Sequence, residues 1–324
     1  MYPVERTEAT PSEGRSIMNS RPLSGLRLGV FGKGGAGKST VTVLLAAALR
    51  KIGYSVLVLD ADSTNIGLAQ ALGIESDPEP LLDYFGGMVF SGGHVTCPVD
   101  DPSPLAGAAV SLDRIPHDYV ARNADGIWLL VAGKLGSLGP GAGCDGPVAK
   151  IARDLEVHGL GSDGVVLVDH KAGFEDSARG VVISLDWALA IVDPTTAALQ
   201  MAAHLAGMVE EIRRGVPPAT EHLTHPELAE LTIRLFRESR VRGVLSVLNR
   251  VPRVDTERHL RDALAAKGVP VVGAFAEEPA VQEQWLRGEP VHSPRLLETA
   301  VTLARHIESV HDEAAAAGAA PGAA

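Results

Sequence analysis

Residues 26–39 read Leu26-Arg27-Leu28-Gly29-Val30-Phe31-Gly32-Lys33-Gly34-Gly35-Ala36-Gly37-Lys38-Ser39. A short apolar run ends in a glycine-rich turn, and the stretch Lys38 to Lys51 that follows is apolar nearly all round and stops near Gly53. The pattern G-x-x-x-x-G-K-[ST] between a strand and a helix is the signature of a phosphate-cradling loop. Glycines let successive N–H groups converge on phosphate oxygens, and the positive end of the helix adds to the attraction. Gly34, Gly35, Ala36, Gly37, Lys38, Ser39 and Thr40 are therefore the candidate nucleotide contacts. Lys38 is placed to neutralise the β and γ phosphates of ATP, and Ser39 to offer its hydroxyl to Mg²⁺.

Outward from this loop, apolar runs of strand length alternate with longer helical stretches. The strand candidates are Leu26 to Phe31, Tyr54 to Leu59, Ile127 to Ala132, Gly164 to Val168, Ala188 to Val192, Gly243 to Leu248 and Val269 to Val272. This alternation predicts a three-layer α/β sandwich, with a mainly parallel seven- or eight-stranded sheet and helices on both faces. Residues 25–313 read as a single domain between two disordered tails, 1–24 and the Ala/Gly-rich 314–324. Ile74 to Gly126 is punctuated by Gly and Pro and is too long for an ordinary connection, so it reads as an excursion near the active face.

The composition narrows the function classes. A hydrophobic share of 45% with only 4% aromatic residues suits an Ala/Val/Leu/Gly-rich α/β protein. The formal net charge of −11 works against binding to nucleic acid or anionic lipid, so neither partner is expected. Two cysteines, Cys97 and Cys144, are too few for a disulfide scaffold. With no apolar run near the roughly 20 residues that cross a bilayer, and no apolar stretch in Met1 to Ser24 to suit a signal peptide, a reducing cytoplasm is the expected location.

Three acids fall where such sheets bind ligands, at the carboxyl ends of parallel strands. Asp60 and Asp62 follow the second strand candidate, and Asp169 ends the fourth. Asp169 stands where an acid holds Mg²⁺ through water. Each has a plainer reading as a turn or helix cap. Asn249 follows the sixth strand candidate, and its carboxamide carries both a donor and an acceptor.

The run Lys33-Gly34-Gly35-Ala36-Gly37-Lys38-Ser39 resembles the deviant phosphate loop, K-G-G-x-G-K-[ST], of the MinD, ParA and nitrogenase iron protein group of ATPases, the SIMIBI type of P-loop NTPase. That resemblance implies that Lys33 reaches the nucleotide of a partner subunit, so that ATP is sandwiched in a homodimer. It implies that Asp62 orients the attacking water, that Asp60 supports the magnesium shell and that Asn249 reads the base. A solvated Lys33 and a simple turn at Asn249 are the alternatives.

Further stretches resemble the CooC-type accessory ATPases, which support nickel insertion into carbon monoxide dehydrogenase. They are Asp60-Ala61-Asp62, Asp125 to Lys134, the glycine-rich loop to Cys144, Ala172 to Asp176, Arg179-Gly180, Val192-Asp193-Pro194 and Leu248-Asn249-Arg250. In that family the metal motif is Cys-x-Cys, whereas here the run reads Cys144-Asp145-Gly146. Two Cys-x-Cys motifs across a two-fold axis give four thiolates, enough to close a tetrahedral site, and one cysteine per subunit gives two. Cys144 is thus a candidate Ni²⁺ or Zn²⁺ ligand lacking its usual companion, with a small loop thiol as the alternative. Pro147 predicts a helix start, and the helix is expected to run to His158. Cys97, in His94-Val95-Thr96-Cys97-Pro98, reads as structural.

The expected protein is a slow, dimerisation-dependent ATPase that remodels or loads a client, with metalloenzyme maturation as its leading role. A positioning or partitioning ATPase, or a regulatory nucleotide switch, would carry the same engine. Lys38→Ala is expected to abolish nucleotide binding or hydrolysis, as measured by titration with a fluorescent ATP analogue and by phosphate release.

Overall fold

The computed structural model describes residues 21–134, 144–173, 176 and 179–319. Its main sheet contains β1 (Arg27–Gly32), β2 (Ser55–Ala61), β4 (Ala121–Arg122), β5 (Trp128–Val131), β7 (Gly164–His170), β8 (Trp187–Val192), β9 (Val244–Val251) and β10 (Val271–Ala276). The strand order is β10-β9-β8-β1-β7-β2-β5-β4, parallel throughout except for the short edge strand β4, which runs antiparallel to β5. All seven strand candidates lie in this sheet, within a few residues of their expected ends.

Alternation along the strands divides the side chains between two cores. In β1, Leu28 and Val30 face one side and Phe31 the other, all fully buried. Leu28 and Val30 join Val56, Val58, Leu167 and Val247 beneath α1 (Lys38–Lys51), and the C-terminal helix Pro294–Ala319 packs on the same side. On the opposite face, Phe31, Leu57, Leu59 and Val168 pack with Ile151 of helix Gly146–Asp154, Leu205 of helix Thr196–Arg213 and Leu260 of helix Val254–Ala265. Strands buried on both faces read as continuous apolar runs, and α1 is nailed to the sheet by Val41, Leu44, Leu45, Ala48 and Leu49.

Among the described residues the α-helices are, in chain order, α1, α2 (Leu68–Ala71), α3 (Leu81–Tyr84), α4 (Gly146–Asp154), α5 (Thr196–Arg213), α6 (Pro226–Arg237), α7 (Val254–Ala265), α8 (Pro279–Arg287) and α9 (Pro294–Ala319). Among the described residues, none is long and apolar enough to cross a membrane.

The structure corrects one element. Helix α4 stops at Asp154, because Leu155 turns to an extended conformation, with φ −61° and ψ 121°. Glu156–His158 forms β6, which pairs in parallel with β3 (Ala109–Ser111) from the excursion. The excursion hydrogen-bonds the end of β5, with Leu82 N donating to Ala132 O at 2.9 Å.

The ordered body also extends past the expected boundaries. Leu23 is fully buried, its N–H donates to Tyr54 Oη at 3.1 Å, and Arg21 donates to Ile52 O at 2.7 Å. Helix α9 continues through residues 314–319, and the remainder of each expected tail lies outside the described residues.

Candidate functional site

The parallel register gathers the site. Asp60 and Asp169 are direct neighbours across β2 and β7, and Asp169 lies opposite Val30 of β1, two residues before Gly32. The acids and the glycine loop therefore emerge from the same edge of the sheet.

The loop is held by its carbonyl groups. Asn249 Nδ2 donates to Ala36 O at 2.8 Å, and Arg250 Nη1 donates to Gly35 O at 2.7 Å. On its other side, Gly173 N donates to Gly32 O at 3.2 Å. Ala36 N closes the loop on Lys33 O at 3.1 Å, and the start of α1 offers its first N–H groups to an anion. Gly37, the N-cap of α1, has φ 85°, and a Cβ there would meet Asn249 Nδ2 at 2.2 Å. Only glycine both adopts that conformation and leaves room for the amide. Arg250 itself sits at φ 55°, a rare backbone angle for a non-glycine residue.

Ser39 Oγ donates to Asp169 Oδ2 at 2.7 Å and accepts from Asn65 Nδ2 at 2.9 Å. Thr42 Oγ1 adds a 3.3 Å bond to Asp169 Oδ1. Asp169 is fully buried, and burial raises its carboxyl above the usual range against the pull of Ser39 and the Lys38 ammonium. Asp60 is 1% exposed, and burial pushes it up to about 7 even though Lys134 stands beside it and pulls the other way. Buried carboxylates held above their ordinary range are poised to gain from a cation, since a charge placed beside them offsets their desolvation. The donors here are a hydroxyl and carboxylates, hard oxygens that fit Mg²⁺.

Asp62 lies in the loop after β2. Its Oδ1 accepts from Thr64 N (3.0 Å), Thr64 Oγ1 (2.7 Å) and Asn65 N (3.2 Å), the turn chemistry that was its plainer reading. It also lines the cleft. The cleft is about 640 Å³, floored by Gly34, Gly35, Gly37, Lys38, Ser39 and Thr40 and walled at its far end by Ala276, Val281 and Trp285. Asn249 lines it too, and one of its amide N–H groups holds the Ala36 carbonyl. Lys33 lies on the rim, 3.2 Å from Asp193 and with its side chain 35% exposed.

Cys144 precedes α4 and accepts from Gly146 N at 3.4 Å. A Cβ on Gly146 would lie 2.5 Å from Cys97 Cβ, 2.6 Å from its Sγ and 2.9 Å from its Cα. Cys97 thus occupies the room that a side chain at position 146 would need. Among the described residues, no three or more His, Cys, Asp or Glu gather into a group that could hold a metal ion. Between the two, Asp145 accepts from Ser63 Oγ and from Lys171 Nζ. Burial works to raise its carboxyl, but these two bonds and the Lys171 charge hold it below the usual carboxylate range.

Sequence reasoning missed Asn65, Lys134, Arg250 and the Trp285 wall. Lys134 and Arg250 stand inside runs that it singled out, but the groups they hold, backbone carbonyls and for Lys134 also the Asp60 carboxylate, are remote in the chain, and no local pattern records them.

A glycine loop on a parallel sheet, with acids at the adjoining strand ends, defines a P-loop nucleotide-binding protein. Residues 30–291 match the CobQ/CobB/MinD/ParA nucleotide binding domain, and the chain belongs to that family. An uncharacterized ATP-binding protein of Methanocaldococcus jannaschii is 33% identical over 193 residues, 59% of this chain and 76% of that protein. The carbon monoxide dehydrogenase accessory protein CooC of Rhodospirillum rubrum is 30% identical over 188 residues, 58% of this chain and 70% of its own length. The fold matches the cell division ATPase MinD of Pyrococcus furiosus with a TM-score of 0.56 at 21% identity, covering 88% of this chain and 99% of that one.

Gly146→Cys, which writes the Cys-x-Cys pattern into this chain, is expected to destabilise it by about 1–3 kcal/mol through overpacking. Denaturant unfolding should show part of that loss recovered in Gly146→Cys/Cys97→Gly.

Proposed function

We propose that this protein is a dimerising ATPase whose cycle loads or remodels a client protein. Lys33 carries the reading. Its ammonium stands at the rim of the phosphate loop, partly exposed and parked on Asp193, instead of being buried beside Lys38. A cation placed there is available to a nucleotide brought up by a second copy of the chain. Supplying that charge from across a dimer would make hydrolysis depend on association, because a desolvated cation stabilises the charge that develops during phosphoryl transfer.

Within one subunit, Lys38 and the loop N–H groups bind the phosphates, and Asp62 orients the attacking water. Ser39 and Asp169, with Asp60 behind them, would hold Mg²⁺, which would supply positive charge against the phosphates. Gly173 ties the segment after β7 to Gly32 O, so a ligand at the phosphate loop would be felt in that segment. From there, Lys171 and Ser63 share Asp145, which joins both nucleotide-facing loops to Cys144 and α4.

The client is proposed to be a metalloenzyme under maturation, of the nickel carbon monoxide dehydrogenase kind. The similarity to CooC supports this role, and the net charge of −11 disfavours the alternative of positioning on DNA or lipid. Cargo and switch are separable: Ni²⁺ or Zn²⁺ retained by the ATP-bound dimer and lost in Cys144→Ser would mark metal delivery, and a dimer without metal would mark a remodelling switch.

Size-exclusion chromatography with light scattering should give a dimer with Mg·ATP and a monomer with Mg·ADP. Lys33→Ala should bind ATP as the wild type does, yet lose at least tenfold in turnover. Equal ATPase rates in the two proteins would contradict the proposal.

A further inference from the structure

Lys134 follows β5, on the far side of β2 from the phosphate loop. Its ammonium donates to Asp60 Oδ2 at 2.7 Å, to the Asp62 carbonyl at 2.8 Å and to the Asn65 carbonyl at 2.7 Å. A lysine ammonium has three protons to donate, so all three are committed.

The choice of partners carries the argument. Balancing the buried charge of Asp60 needs only the first bond. The other two go to neutral carbonyls, at the two ends of a turn whose side chains face the cleft. Asp62 is the candidate for orienting water, and Asn65 donates to Ser39 Oγ at 2.9 Å. The turn is closed locally by Asp62 Oδ1, and Lys134 adds an anchor from a neighbouring strand.

We infer that Lys134 is a positioning residue for phosphoryl transfer: it touches no substrate and sets where Asp62 and Asn65 stand relative to Ser39. This inference rests on the ATPase reading above. Misplacing a reacting group by about 1 Å costs on the order of a hundredfold in rate, whereas the loop that binds the phosphates is anchored independently by Asn249 and Arg250. Loss of Lys134 should therefore fall on kcat and spare KM.

Lys134→Met alone leaves Asp60 buried without its partner, a change that can unfold a protein. The decisive pair is Asp60→Asn against Asp60→Asn/Lys134→Met in the full-length chain. Both lack the buried carboxylate, and they differ in the Lys134 ammonium with its bonds to the two carbonyls and to the side chain at position 60. The double variant is expected to turn over ATP at least tenfold more slowly than Asp60→Asn, with KM for ATP within about threefold, in proteins that both unfold in one cooperative transition. Equal kcat values in the two would overturn the inference.

A second readout needs no hydrolysis. The Trp285 ring stands 3.7 Å from where a Cβ on Gly67 would lie, just beyond the clamped turn. Its emission, assigned by subtraction of Trp285→Phe counterparts, should differ between the two variants without nucleotide. If the wild type hydrolyses no ATP, the functional reading fails and this emission decides the role of Lys134, an unchanged spectrum counting against it.

Discussion

The site depends on two hydrogen bonds that do not touch any ligand. Asn249 and Arg250, from the end of β9, hold the Ala36 and Gly35 carbonyls. A peptide carries its N–H opposite its C=O, so fixing these carbonyls fixes the N–H groups of Ala36 and Gly37, the first of which closes the loop on Lys33 O. The anion cradle is thereby built before any phosphate arrives, and its assembly cost falls on folding instead of on binding.

Everything else at the site follows from how the parallel sheet delivers chain ends. Because β1, β7 and β2 lie side by side in register, Asp169 and Asp60 are delivered next to the glycine loop with no loop having to search for them. Packing both faces of the sheet makes this edge stiff, and it also buries the acids. Burial then lifts both carboxyls, leaving Asp60 near 7 and in need of the Lys134 ammonium. The same desolvation that would favour a bound magnesium ion thus calls for a lysine, and that lysine's remaining two donors organise the Asp62 turn.

How much of this was legible in the sequence tracks how local the signal is. The seven long strands were readable because strands covered on both faces must be apolar throughout. The three-residue strands β3 and β6 and the two-residue β4 carry no period long enough to detect. The end of α4 was misplaced because Leu155 and Val157 continue an apolar spacing, and only pairing with β3 reveals the strand. Loop residues 32–40 were legible because glycine, lysine and serine at fixed spacing encode a backbone geometry. Lys134 and Arg250 were not, since each acts on carbonyls 69 or more residues away that any side chain could carry. Gly146 shows the reverse case. Its departure from Cys-x-Cys was plain in the sequence, but the packing of Cys97 into the space a side chain there would need was visible only in three dimensions.

The central claim is that the cradle is preformed by its carbonyl anchors, and calorimetric titration of Mg·ATP into Asn249→Ala tests it most directly. Losing one buried hydrogen bond costs about 1–3 kcal/mol, so the account predicts affinity about 10–100-fold weaker than wild type, with an added unfavourable entropy from ordering the loop. Wild-type affinity and entropy in a folded Asn249→Ala protein would contradict it.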